Sequence, residues 1–465
     1  MTDAKKSAPP AEAASLPAPA PAVFSRHASP SPVITAALLI AFLTAIVRVA
    51  SVGKELIIAG RFGTSEELDA YLIAILLPVA IVSVLAGSLS AAFIPIYVET
   101  RENEGQVAAR RLFGSIISWS LPLLIALAAL VVVTAPWYLP VLGSGFSPEK
   151  LRFTFRLVCL DSVFIVIGGI SGAYTAALNA ERKFAVTSAA PLATPIITIA
   201  FLWWAPGWRT VALIVGLLAG GLAELLILGL ALKRLQFSLL PHWPQVHRKI
   251  RRFTGQFLPV ISGSILHSGN SIVDQAMAAM LATGSVAALN YGNRIAQFPL
   301  GLASAALGTA LMPHLSSMAA SRNWPELYRS VRRYIFLSFA LTLPLTAGLI
   351  IFSTPIVSLL FHRGAFVAED VRLVSQIQAL YALEIPSYLV SIIVARLISS
   401  LQQNRLLLFG TIINLFTNLC LNYLFMRWWG LPGIALSTSC VNLCSTIIWY
   451  LVIMGRLRKL MNTAP

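Results

Sequence analysis

Leu112-Phe-Gly-Ser-Ile-Ile-Ser-Trp-Ser-Leu-Pro122-Leu-Leu-Ile-Ala-Leu-Ala-Ala-Leu-Val-Val-Val-Thr-Ala-Pro136 contains no ionisable side chain. It exceeds the roughly 20 apolar residues that a helix needs to cross the hydrocarbon of a bilayer. Backbone polar groups in lipid must be satisfied within their own segment, so such a run predicts a spanning helix. Similar runs precede it at 32–52 and 70–97. Others follow at 153–178, 185–205, 209–232, 253–282, 286–317, 334–361, 374–401, 406–426 and 431–455. The pattern predicts an all-α polytopic membrane protein of about twelve transmembrane helices. A β-barrel would show short alternating strands instead.

Composition agrees. The 465 residues are 57% hydrophobic and 11% charged, with mean hydropathy +0.80. Soluble domains carry roughly 25% charged residues, so this chain lacks the polar surface to coat a globule in water. The formal net charge of +16 does not indicate nucleic acid, because the basic residues gather in short loops between apolar runs. Cys159, Cys420, Cys440 and Cys444 fall inside expected spans with no metal-completing neighbours, and read as small buried hydrophobes. No metal or cofactor is expected.

Residues 1–30, rich in Ala and Pro, read as a disordered tail. The first apolar run is too long for a secretion signal and contains Arg48, so it reads as an uncleaved span. Prolines at 78, 95, 122, 195, 259, 299 and 386 predict kinked helices around a cavity. Basic residues concentrate on one side, at Arg101, Arg110, Arg111, Arg182, Lys183, the stretch from Lys233 to Arg252, Arg322 to Arg333, and Arg456 to Lys459. The other side has Lys54, Arg61, Lys150, Arg152, Arg209, Arg363, Arg372 and Arg427. The positive-inside rule then places both termini in the cytoplasm. The basic stretch 235–252 reads as a linker between a lobe at 31–234 and a lobe at 253–465, and can also meet anionic lipid headgroups. A faint repeat supports the division: Gly63-Thr-Ser-Glu-Glu-Leu-Asp69-Ala-Tyr71 parallels Gly284-Ser-Val-Ala-Ala-Leu-Asn290-Tyr291.

Ionisable residues within spans cost roughly 2.5–3.5 kcal/mol at the bilayer centre, so they normally face a cavity or a partner. Here they are Arg48, Asp69, Arg156, Asp161, Glu224, Asp274, Arg294, Glu384 and Arg396. Each can simply lock helix packing. Arg48, Lys54 and Arg61 stand close together, with Asp69 soon after, and Arg294 lies between Asn293 and Gln297. Guanidinium forks and an ammonium suit the oxygens of a diphosphate and suit a metal poorly. No Ser-His-Asp set, phosphate-cradling glycine loop or metal-spaced His cluster is present, and His267 stands alone, so no catalytic residues are assigned.

Arg48-Val-Ala-Ser-Val-Gly-Lys54-Glu55, Arg61-Phe-Gly-Thr-Ser-Glu-Glu-Leu-Asp69-Ala-Tyr71, Leu77-Pro78 and Ala91-Ala-Phe-Ile-Pro95 together resemble the opening of the MurJ/MviN lipid II flippases. Asn290-Tyr-Gly-Asn-Arg294-Ile-Ala-Gln297-Phe-Pro299-Leu-Gly and Leu307-Gly-Thr-Ala-Leu-Met-Pro313 resemble the start of that family's second lobe. The resemblance implies the MOP-type fold, two six-helix lobes around a central cavity. It also implies an inner-membrane flippase for a polyprenyl-diphosphate-linked sugar, with membrane lipid around it and cell-envelope synthesis proteins as partners. By position it carries a substrate-binding cavity onto Arg48, Lys54, Arg61, Asp69, Arg294 and Gln297. The chain departs from the pattern in places. Lys54 replaces an arginine and Gln297 a glutamate. The stretch from Val79 to Gly87 lacks an arginine pair and an acidic residue, and about twelve spans stand where fourteen are usual. Lipid II is the first expectation, and another lipid-linked glycan such as an exopolysaccharide precursor the second. A cation-coupled drug exporter would use Asp161, Glu224 or Asp274 and is repelled by a cationic cavity. A glycosyltransferase needs a large external loop, and a pseudo-transporter scaffold would bind synthases but no lipid-linked sugar.

Overall fold

The computed structural model describes residues 31–238, 247–401 and 403–463. The expected tail at 1–30 and the middle of the basic linker lie outside them, as do the side chains of Pro259 and His267. Every regular element among the described residues is helical. The chain runs α1 (Ser31–Phe62), α2 (Glu66–Leu142), α3 (Pro148–Asp161), α4 (Val163–Ala180), α5 (Phe184–Ala189), α6 (Ala193–Trp204) and α7 (Thr210–Arg234). After the linker come α8 (His247–Ala279), α9 (Ser285–Ala320), α10 (Trp324–Ile351), α11 (Ser353–Phe361), α12 (Ala368–Ala382), α13 (Glu384–Ser400), α14 (Asn404–Trp429) and α15 (Leu431–Thr463). Each expected span falls on one of these helices or on two successive ones, and the spans at 70–97 and 112–136 share α2. Among the described residues, eight segments are long and apolar enough to cross a membrane.

The breaks have local causes. Gly105, at φ 87°, turns α2 back on itself and divides it into two arms. Pro355 cannot donate to the carbonyl of Ile351, where α10 gives way to α11. Pro386 stands in the same relation to Ala382, where α12 gives way to α13. Pro78, Pro95 and Pro122 lie within continuous helix. Much of the apolar surface faces outward: Phe336, Leu341, Leu359 and Trp204 are all exposed. A water-soluble monomer avoids such patches, whereas a helix bundle in lipid requires them. This is a multi-pass membrane protein.

The buried core is joined at one end and divided at the other. At the joined end a single cluster takes Phe62, Leu68 and Tyr71 together with Ala287, Tyr291, Phe361, Phe366 and Val374. At the divided end one cluster runs from Leu89 to Phe253 and another from Leu311 to Leu457. Helix α8 crosses between them. Its Phe253 belongs to the earlier cluster and Arg252 pairs with Glu99 of α2 at 2.8 Å. Farther along, Asp274 accepts hydrogen bonds from Asn418 (3.1 Å), Asn422 (2.6 Å) and Thr438 (3.2 Å), which tie α8 to α14 and α15. The cysteines correct one expectation: Cys159 and Cys440 are half-buried, but Cys420 and Cys444 are exposed.

Candidate functional site

Helices α1, α2 and α9 meet beneath the joined end around a charged cluster. Lys54 Nζ lies 3.3 Å from Glu55 Oε1, and Arg294 Nη2 reaches the same oxygen at 3.7 Å. One carboxylate thus sits between two cations, leaving a net positive charge. Arg294 lines three adjoining cavities. The first, of about 30 Å3, is enclosed by Lys54, Glu55, Tyr71, Asn290 and Tyr291. The second, of about 650 Å3, lies between α1, α9, α10 and α11. Its cations are Arg48 and Arg294, and its walls are mainly apolar, including Val52, Phe298, Leu345 and Leu349. The third, of about 340 Å3, lies between α2 and α8.

Arg48 belongs to this site by contact with α9. A Cβ built on Gly301 would stand 2.8 Å from both terminal nitrogens of Arg48, so the guanidinium rests against bare backbone. Gln297 lines the second cavity and donates to Glu384 Oε1 at 3.5 Å, while Asn442 donates to Glu384 Oε2 at 2.7 Å. The structure therefore brings Arg48, Lys54, Arg294 and Gln297 to one set of cavities.

Arg61 and Asp69 lie elsewhere. Arg61 donates to the carbonyl of Leu202 and lines a separate pocket with Ser65 and Arg209 at the joined end. It is no part of the cavity around Arg294, because it lies nearly two helical turns beyond Lys54, at the very end of α1. Asp69 does not pair with Arg61. Its carboxylate accepts the backbone N–H groups of Gly284 (2.6 Å) and Ala287 (2.9 Å) and faces Lys150 Nζ at 3.4 Å. It is 1% exposed and Lys150 7%. An anion here satisfies orphan donors at the start of α9 and meets the positive end of its dipole.

The joined end is closed by backbone on backbone. Ala365 donates its N–H to the carbonyl of Gly60 at 2.8 Å. A Cβ on Gly63 would stand 2.4 Å from the carbonyl oxygen of Ala365, and one on Gly284 2.3 Å from that of Thr64. Both glycines have positive φ, at 52° and 87°. Thr64 adds a 2.5 Å hydrogen bond to Asp370. The two turns of the sequence repeat thus face each other across this seam.

Sequence reasoning left Glu55 without a role because its partner Arg294 is remote in the chain, and it placed Lys150 in a loop. Glu384 carried no partner until Asn442 and Gln297 were brought beside it. No group of three or more His, Cys, Asp or Glu side chains suited to a metal occurs among the described residues. Asp274 has its oxygens engaged by amides and a hydroxyl and faces none of the three cavities.

The family model described as lipid II flippase MurJ matches residues 58–463. A probable lipid II flippase MurJ of Synechocystis sp. is 28% identical over 449 residues, covering 91% of this chain and 81% of that relative. One from Bdellovibrio bacteriovorus is 29% identical over 388 residues, covering 80% of this chain and 72% of the relative. The lipid II flippase MurJ of Burkholderia cenocepacia is 25% identical over 426 residues, covering 88% and 81%. Among solved structures, lipid II flippase MurJ in an inward closed conformation superposes with TM-score 0.77 at 22% identity, covering 91% of this chain and 90% of that one. An inward-facing multidrug transporter of the MATE family, in the MOP superfamily, gives TM-score 0.73 at 14% identity over 92% and 100%. The fold is therefore that of the MOP superfamily.

Proposed function

Because this chain belongs to the lipid II flippase MurJ family, we propose that it moves a polyprenyl-diphosphate-linked glycan, the peptidoglycan precursor lipid II, from the inner to the outer leaflet of the bacterial cytoplasmic membrane. It is a transporter, not an enzyme. The observation that carries this reading is the cationic cluster of Lys54, Glu55 and Arg294, with Arg48 beside it, opening on a large apolar-walled cavity. Arginine forks hold the diphosphate oxygens, with Lys54 adding a point charge. The mainly apolar walls let the prenyl chain pass toward lipid beside the charge.

The divided core supports alternating access between two six-helix lobes, 31–234 and 253–465, with twelve spans and both termini in the cytoplasm. In this reading the joined end faces outward, the diphosphate enters from the divided end, and separation of the glycine seam releases it. Lipid binding by the basic linker and docking of envelope-synthesis proteins belong to the same proposal. The cationic cluster disfavours export of organic cations, even though the fold is shared with multidrug transporters.

Expression in cells depleted of their own lipid II flippase tests the proposal. Growth and outer-face lipid II should be restored by the wild-type chain. Arg48→Ala and Arg294→Ala should fail at unchanged membrane levels. A well-inserted wild-type chain that does not rescue moves the assignment to another lipid-linked glycan.

A further inference from the structure

The pocket that takes Arg61 lies at the joined end, apart from the cavities around Arg294. Its volume of about 560 Å3 lies within the range of ligand pockets, roughly 300–1,000 Å3. Its walls come from both sides of the seam: Arg61, Ser65, Leu202 and Arg209 precede the linker, and Ala365 follows it. The charged residues in that lining are both arginines. Arg61 donates to the Leu202 carbonyl, and a guanidinium with five N–H donors has others to offer. Arg209 pairs with Glu67 at 2.8 Å and keeps most of its side chain exposed. It is held at a φ of 46°, which is strained for a residue with a Cβ.

Closure of the seam adds to this charge. A Cβ on Gly60 would stand 3.1 Å from Arg363 Cγ, so a third arginine comes up against the end of α1 that carries Arg61. The neighbouring carboxylate of Asp370 is already engaged by Thr64 and by the backbone N–H of Val367. The pocket also has a defined depth. Trp203, Trp204 and Trp208 flank the wall residues Ala205 to Gly207 and are exposed, as are Trp428 and Trp429 at the end of α14. Exposed tryptophans at helix ends mark the membrane–water interface, which is the layer of phospholipid headgroups.

Resting on the outward placement of the joined end in the flippase reading above, we infer that this pocket binds the phosphate of an anionic phospholipid of the outer leaflet between Arg61 and Arg209, and that the bound lipid favours the closed seam. Arginine forks match phosphate oxygens. A ligand shifts an equilibrium only by its difference in affinity for the two states. Closure brings Ala365 into the wall and Arg363 up to α1, so the closed form offers the anion more contact and more positive charge. The outer leaflet then acts on the gate at a site separate from the substrate at Arg294.

The test follows the seam by pulsed dipolar spectroscopy, with spin labels at Ser144→Cys and Glu369→Cys on exposed positions of its two sides. It uses the full-length chain with its four native cysteines replaced. In phosphatidylcholine nanodiscs, adding phosphatidylglycerol should lower the open-to-closed ratio about tenfold, the worth of one charge-assisted hydrogen bond. Arg61→Gln and Arg209→Gln should each abolish that response while keeping a cooperative helical melt, which shows that they fold. Arg427→Gln, in the last turn of α14 and outside the pocket, should respond as the wild type does. A wild-type distribution blind to phosphatidylglycerol, or a response that survives in both pocket variants, overturns the site. A response reproduced by inorganic phosphate in phosphatidylcholine overturns the lipid as the source of the anion. The labels report the seam and not transport, so failure here leaves the flippase reading in place, and failed rescue of flippase-depleted cells bears on that reading alone.

Discussion

The Asp69 carboxylate lies 2.6 Å from the backbone nitrogen of Gly284, although 215 positions separate the two residues. A side chain near the start of α2 thereby caps a helix of the later half of the chain. The same carboxylate is held by Lys150, so the seam combines an electrostatic lock with a helix cap.

Asp69→Asn keeps the shape of the side chain and removes its charge, leaving Lys150 buried without a counter-ion. Breaking a buried pair in this way costs about 3–5 kcal/mol. The joined end should open more often. A Leu72→Cys probe should then react faster with a membrane-impermeant maleimide added outside intact cells. Unchanged labelling would show that the pair does not hold the seam.

Gly284→Ala should be damaging for a different reason. Its φ of 87° is strained for any residue with a Cβ, and that atom would meet the Thr64 carbonyl. The strain alone is worth about 1–3 kcal/mol. Melting of the purified protein should shift downward and transport should fall. Gly53→Ala, at a position with open space around its Cβ, serves as the matched control.

At the cationic cluster, Lys54→Arg should retain transport, because it restores a fork where the charge already sits. Arg294→Lys keeps the charge but loses bidentate contact, and should lower transport at least about tenfold. Equal activity in both variants would mean that point charge alone suffices.

Gly301 offers a test of Arg48 that leaves the arginine in place. Gly301→Ala puts a methyl group against the guanidinium and should displace it. Transport should drop toward that of Arg48→Ala with insertion unchanged. Wild-type activity in Gly301→Ala would show that the arginine works from another position.

The helices were legible because lipid imposes one rule on the whole chain, and long uncharged runs such as 112–136 obey it. The placing of Arg48, Lys54 and Arg294 on adjoining cavities was approachable from sequence because their motifs lie on two helices, α1 and α9. The partners of Asp69 were not legible. One is a buried lysine that sequence places in a loop, and the others are backbone groups, which have no sequence signature. Glu55 was hidden because its place between two cations emerges only when α9 brings Arg294 within 3.7 Å of a carboxylate that already meets Lys54 at 3.3 Å.

Where Gly63, Gly284 and Gly364 meet the opposing chain, closure at those points immobilises few rotamers, because the nearest opposing atoms are main chain. Side-chain ordering costs up to about 2 kcal/mol per residue at contacts made by long flexible groups. At these three glycine contacts the seam opens and shuts with little conformational entropy at stake, and the ordering cost falls on Lys150 beside Asp69. The temperature dependence of the transport cycle should therefore report chiefly the wetting and drying of Phe62, Tyr291 and Phe366 behind that seam.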